Sequence, residues 1–138
     1  MPVSTEILRS VPLFRGLTDQ AVTAIAEMAV ETSYGTGAVL VREDDPGDRF
    51  IVLVAGSARV ERGGKPIATL GAGDFLGEIA LVDGRPRTAT VTATSPIEAL
   101  EIRRDAFMDL MDRSSVVRLG VLMALTERLR ELALVETD

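Results

Sequence analysis

Gly77, Glu78, Arg87 and Thr88 gather the groups of most chemical interest in this chain into one short segment. Glycine at 77 lets a ligand approach the backbone closely, because no Cβ stands in the way. A short helix beginning near Glu78 would turn free backbone N–H groups outward, which favours an anion. The guanidinium of Arg87 is a planar fork that can grip two oxygens of one phosphate. Glu78 can accept hydrogen bonds from a sugar hydroxyl, and Thr88 adds a hydroxyl donor. Together these groups suit a ligand carrying one phosphate and one free ribose hydroxyl. Taken without their surroundings, the same residues also suit a turn with a surface ion pair.

The elements that must position them alternate in texture along the chain. The first thirty residues read as helical. Ser4 or Thr5 can cap a short helix carrying Ile7 and Leu8, Pro12 interrupts it, and Leu13, Phe14 and Leu17 form an apolar hinge. Thr18 then reads as an N-cap with Asp19 in the first turn, and Val22, Ile25, Ala26 and Ala29 follow at helical spacing. From Glu31 short β-branched runs appear, broken by Gly, Asp and Pro at intervals of about eight to twelve residues. Strands are expected near 30–34, 38–42, 49–55, 57–62, 66–70, 88–94 and 97–102, with Gly63-Gly64 as a hairpin signal. That spacing suggests a small barrel or a sandwich-like roll. The last third turns helical again. Asp105 to Met111 makes a short helix capped by Arg104 or Asp105. A longer helix, capped by Ser114 or Ser115, reaches roughly Val135 and carries a stripe of Val117, Leu122, Leu125, Leu129 and Leu132.

Composition narrows the chemistry. The 138 residues, 46% of them hydrophobic, favour a single domain with a real core. The 21 acidic and 15 basic residues leave a net charge of −6, which argues against a broad surface for DNA or RNA. With no Cys and no His, the chain lacks thiol nucleophiles, imidazole bases and nearly all zinc or iron ligands. It also lacks disulfides, so a reducing compartment is natural. The start, Met1-Pro2-Val3-Ser4, has no basic region of a signal peptide, and apolar runs such as Ile51 to Ala55 are too short to span a bilayer. A cytoplasmic protein without enzymatic chemistry, metal or cofactor is expected.

The stretch Phe75 to Leu81, then Pro86 to Val91, resembles the phosphate-binding cassette of the cyclic nucleotide-binding domain family. That family includes bacterial catabolite activator proteins, cyclic-nucleotide-dependent kinases and cyclic-nucleotide-gated channels. Its cassette reads Phe-x-Gly-Glu-(Ile/Leu)-Ala-Leu, a short insert, then Pro-Arg-(Ala/Thr/Ser)-Ala-Thr-Val. The likeness extends over about the whole chain. Leu8 to Leu17 resembles the family's N-terminal helical segment. Gly37-Ala38-Val39-Leu40, Asp45-Pro46-Gly47-Asp48, Val54-Ala55-Gly56-Ser57 and Gly71-Ala72-Gly73-Asp74 match its β-roll turns in order. The resemblance implies a mainly β fold: an eight-stranded antiparallel β-roll over 31–103, with the cassette at 75–91. N-terminal helices over 1–30 and C-terminal hinge or lid helices over 104–136 would flank it. It further implies that Arg87 holds the cyclic phosphate, Glu78 the ribose 2′-hydroxyl, and Gly77, Ile79 and Ala80 the adjoining contacts. Thr88 would touch the phosphate and can also meet a guanine amino group. Val60, Ile67, Ala68 and Leu76 would line the base and sugar pocket. The ligand would be cAMP or cGMP.

Two positions depart from the family pattern. Asp44 stands where a glycine is usual, and Asp tolerates positive φ better than most residues. The C-terminal helix has no aromatic residue to stack on a purine, so a lid would use Leu122, Met123 or Leu125, or an arginine such as Arg118 or Arg128. The glycines at 71, 73 and 77 resemble a dinucleotide loop only superficially, since no βαβ unit follows. Asp44, Asp45 and Asp48 read as a solvated turn rather than a calcium loop, because Pro46 falls where a ligand should be. Leu122, Leu125, Leu129 and Leu132 keep a coiled-coil step for about two heptads, so the last helix could be a lid or a homodimer seam. The activator relatives carry a helix-turn-helix beyond this point; none is expected here, and the chain is expected to be either a stand-alone sensor or the regulatory domain of a longer enzyme, channel or transporter. The functional expectation is a sensor that binds cyclic nucleotide and acts on an effector domain or protein. The alternative is a β-roll that serves only as a structural or dimerisation module.

Overall fold

The computed structural model describes residues 5–11, 14–77 and 87–137. Its elements are α1 (Thr5–Arg9), α2 (Asp19–Met28), β1 (Val30–Tyr34), β2 (Val39–Val41), β3 (Arg49–Ala55), β4 (Ala58–Arg62), β5 (Lys65–Leu70), β6 (Phe75–Leu76), β7 (Thr90–Ala93), β8 (Ile97–Arg103), α3 (Arg104–Arg113) and α4 (Ser115–Thr137). The eight strands form two four-stranded sheets, ordered β1-β8-β3-β6 and β2-β7-β4-β5, with every neighbouring pair antiparallel. The expected mainly β roll with flanking helices is the observed fold.

Strands β3 and β8 divide the core, because alternate side chains point to opposite faces of a sheet. Ile51, Leu53, Ile97 and Ala99 face the second sheet and meet Leu40, Val41, Ala58, Val91 and Ala93 inside the roll. Phe50, Val52, Leu100 and Ile102 face the helices and join Leu8, Phe14, Val22, Ile25, Phe107, Val117 and Val121. All four phenylalanines meet on this helical side: Phe14 packs edge-on against Phe50 with ring centroids 5.5 Å apart, and Phe107 and Phe75 flank that pair.

Local chemistry sets most boundaries. Thr18 caps α2, its Oγ1 accepting from the Ala21 N–H at 3.2 Å. Gly63 and Gly64, with φ of +58° and +79°, close the β4–β5 hairpin as two adjacent left-handed residues. The Ser114 Oγ accepts from the Val117 N–H at 3.3 Å, so Ser114 caps α4. Helix α3 begins earlier than expected. Its N-cap is Arg103, which makes no side-chain cap bond, while Arg104 and Asp105 already lie within the helix.

Two strands are shorter than the sequence suggests. β2 stops at Val41 because the Arg42 N–H turns to Asp45 Oδ2 at 3.2 Å. β7 starts only at Thr90 because the carbonyls of Arg87 and Thr88 are taken by other partners, described below. Strand β6 lies outside the expected strand runs altogether. It is the first two residues of the cassette, Phe75 and Leu76, paired to Val52 and Ile51. The expectations resting on Ser4, Pro12 and Leu13 lie outside the described residues.

Candidate functional site

Arg87 is the one buried charged side chain among the described residues, 7% exposed. Its Nη2 donates to the backbone carbonyl of Arg49, and among the described residues its Nε has no hydrogen-bond partner and no carboxylate forms an ion pair with it. Burial depresses the Arg87 pKa below the usual arginine value. The nearby Arg49 cation depresses it further, and Asp48 and Asp45 pull it back. A guanidinium in such surroundings stays cationic at neutral pH. A buried cation without a counter-ion is costly, and an anionic ligand offsets that cost.

Gly77 forms the other wall. Its φ is +87°, and a Cβ there would lie 2.8 Å from the Arg49 carbonyl and 2.9 Å from Arg87 Cζ. Only glycine gives both the backbone conformation and the room for the guanidinium. The close approach foreseen at this position is therefore made by Arg87 itself.

The backbone of Arg87 is fixed by the loop between β2 and β3. The Asp44 N–H donates to the Arg87 carbonyl and the Arg87 N–H donates to the Asp45 carbonyl, both at 2.8 Å. Asp44 holds φ +70°, the positive value that its place in a glycine position implied. Thr88 is exposed, and its carbonyl accepts from Arg62 Nε at 3.1 Å.

The apolar residues assigned to the pocket separate into two groups. Val60 and Leu76 are half-buried and pack against the core inside the roll. Ala68 pairs with Val60 across the β4–β5 ladder but is exposed, and Ile67 is 50% exposed where the register steps from Val60–Ala68 to Glu61–Pro66. Glu78, Ile79 and Ala80 lie outside the described residues.

Among the described residues, the lid candidates on the last helix divide between two faces of α4. The buried row of α4 is Val117 and Val121, with Leu125 partly buried against the helical core. Leu122, Met123 and Leu129 are 60%, 64% and 66% exposed. The cause is the α-helical step: residues at i, i+4 and i+8 share one face, so Val117 selects Val121 and Leu125 and turns Leu122 outward. Arg118 spends its Nη1 on the Met111 carbonyl. The side chains of Arg128 and Leu132 lie outside the described set.

Sequence reasoning missed Arg49. Its carbonyl holds Arg87, its Nε lies 2.9 Å from Glu101 Oε1 without the alignment of a hydrogen bond, and its Nη2 donates to the Leu40 carbonyl. The available signal was a cation at the head of the otherwise apolar run Phe50 to Val54. Among the described residues no cluster of His, Cys, Asp or Glu could hold a metal ion, and no helix is long and apolar enough to cross a membrane.

This geometry agrees with comparisons against known proteins. The sequence profile of the cyclic nucleotide-binding domain matches residues 31–114. A cAMP-dependent protein kinase regulatory subunit from Hypocrea atroviridis is 33% identical over 104 residues, covering 75% of this chain and 22% of that protein. A cGMP-dependent protein kinase, isozyme 1, from Drosophila melanogaster is 34% identical over 116 residues, covering 78% of this chain and 15% of that protein. The chain thus spans less than a quarter of these curated relatives. The crystal structure of the N-terminal domain of a transcriptional regulator from Streptomyces coelicolor A3(2) superposes with a TM-score of 0.84 at 30% identity, covering 91% of this chain and 94% of that one. A buried arginine packed beside a positive-φ glycine in an eight-stranded roll, together with these likenesses, places the chain in the cyclic nucleotide-binding domain family.

Proposed function

We propose that the chain is a single regulatory sensor domain that captures cAMP or cGMP without catalysing a reaction. The observation that carries this reading is Arg87, a buried cation that has only a backbone carbonyl for a partner among the described residues. In this reading the cyclic phosphate completes the coordination of Arg87, and the Gly77 elbow admits it beside the backbone. Glu78 accepts from the ribose 2′-hydroxyl, and Ile79 and Ala80 complete the cassette. Val60, Leu76 and Ala68 form the apolar wall, with Ile67 at its exposed rim. Thr88, exposed beside Arg87, is available to the phosphate and to a guanine amino group. No metal or further cofactor takes part, and no nucleic acid is bound.

The signal is a population shift. Ligand binds better to an arrangement in which the cassette and α4 close on it, so that arrangement becomes dominant. What changes for an effector domain, a partner protein or a second copy is the surface α4 offers. The exposed Leu122 and Met123 are the apolar groups that such a closure can bury.

Calorimetric titration with cAMP and with cGMP tests the reading. Saturable binding of at least one nucleotide, well below millimolar, is expected. Millimolar or weaker binding of both would leave the structural-module alternative standing.

A further inference from the structure

The β4–β5 hairpin is tied to the Arg87 segment by side chains that the ligand contacts above do not use. The Gly63 N–H at the hairpin tip donates to Glu43 Oε1 at 2.6 Å. The Glu43 N–H donates to Thr90 Oγ1 at 3.0 Å, near the end of the cassette. Arg62, the last residue of β4, donates through Nε to the Thr88 carbonyl at 3.1 Å. Between these ties, Asp44 and Asp45 exchange two 2.8 Å backbone bonds with Arg87. One carboxylate and one guanidinium thus fasten the hairpin tip to the residues that hold and follow the buried arginine.

We propose that Glu43 and Arg62 are positioning residues that clasp the β4–β5 hairpin to the Arg87–Thr90 segment, so that the base-facing hairpin and the phosphate-holding arginine move as one unit. The inference rests on the cyclic-nucleotide reading for its ligand, but the clasp itself is a property of the free chain. The physical case lies in where the bonds fall. A two-residue turn of adjacent glycines has no side chains of its own to anchor it and the greatest backbone freedom to lose. The Glu43 carboxylate is a charged acceptor, and such bonds are about twice as strong as neutral ones. Glu43 also sits next to Asp44, which bonds Arg87 directly, so loosening the tip frees the loop that fixes Arg87. Ile67 and Ala68 ride on the same hairpin, which carries the coupling to the base end.

The test compares Glu43→Ala, Arg62→Ala and Glu43→Gln with the unaltered chain by amide hydrogen exchange and by calorimetry with cAMP and cGMP. Without nucleotide, Glu43→Ala should speed exchange at both Gly63 and Arg87, whereas Glu43→Gln, which keeps a neutral acceptor oxygen, should restore part of the protection. Nucleotide affinity should fall about three- to tenfold in either alanine variant, the scale of one lost hydrogen bond. It should recover in part in Glu43→Gln. Faster exchange confined to Gly63, with Arg87 unchanged, overturns the clasp, as does an alanine variant of unaltered affinity. If the unaltered chain binds neither nucleotide, the ligand reading fails, and the exchange comparison alone decides the clasp.

Discussion

At the scale of single residues, Arg87 concentrates the most consequence. Its guanidinium is buried, desolvated and, among the described residues, held by one carbonyl, so any anion it binds meets little competition from water. Arg87→Ala should weaken cyclic-nucleotide affinity by about 2–5 kcal/mol, the range for truncating one partner of a buried charge pair. Arg87→Lys should recover only part of it, because an ammonium cannot reproduce the planar fork. Titration calorimetry on both variants checks this, and unchanged affinity in Arg87→Ala would place the phosphate elsewhere. Tyr34 offers a second, independent readout as the only tyrosine in a chain with no tryptophan. Burial raises its pKa, the neighbouring Glu101 carboxylate raises it further, and Arg49 partly opposes them. The neutral phenol is therefore favoured in the fold. The stability it contributes is fully present below the unfolded pKa of about 10 and is lost as pH rises through the folded value. The phenolate absorbance should appear at higher pH in the native chain than in denaturant, and Tyr34→Phe should flatten the alkaline fall in stability.

At the scale of elements, what could be read from sequence was whatever one segment decides alone. Thr18 with Asp19 marks a helix start, and Gly63-Gly64 marks a tight hairpin. Each is present in the fold, because each depends on the covalent neighbours of the residue concerned. The capping bond at Thr18 should be worth about 1 kcal/mol, so Thr18→Ala should lower the unfolding free energy by that amount, read as a lower urea midpoint with an unchanged denaturant slope. What could not be read was decided between segments. Phe75 and Leu76 carry no strand signal beyond their neighbours, and they become β6 only because Val52 and Ile51 present a free edge to them. Arg103 caps α3 without a cap side chain, and the Arg104 N–H instead finds the Asp48 carbonyl at 2.8 Å, a contact between residues far apart in the sequence. The same division runs through the site. Gly77, Arg87 and Thr88 stood out as a local motif, whereas the anchor at Arg49 and the ties through Glu43 and Arg62 exist only once the roll has closed.

At the scale of the whole molecule, a sensor of the proposed kind must link ligand capture to α4. Helix α4 is apolar on two sides. Val117 and Val121 are buried with the helical core, and Gly120 lies so close to Leu17 that an added Cβ would collide with its side chain. On the other side Val116, Leu119, Leu122, Met123 and Leu129 are each more than half exposed. One side anchors the helix to the N-terminal segment, which itself packs through Phe14 onto Phe50 of β3, directly after Arg49. The other side holds apolar surface that closure can bury. Leu122→Glu should therefore leave the ligand-free chain within about 0.5 kcal/mol of its original stability, as for other exposed positions. It should weaken nucleotide binding, because a carboxylate would have to be desolvated as the helix closes. Chemical denaturation without ligand and calorimetry with it separate these effects. Sedimentation of the unaltered chain, with and without nucleotide, then distinguishes the two ways of covering that surface. A mass that stays monomeric while affinity falls in Leu122→Glu assigns α4 to closure over its own roll. A mass that doubles with concentration and is restored to one chain by Leu122→Glu assigns the same apolar side to a second copy, and the closure mechanism would then be wrong.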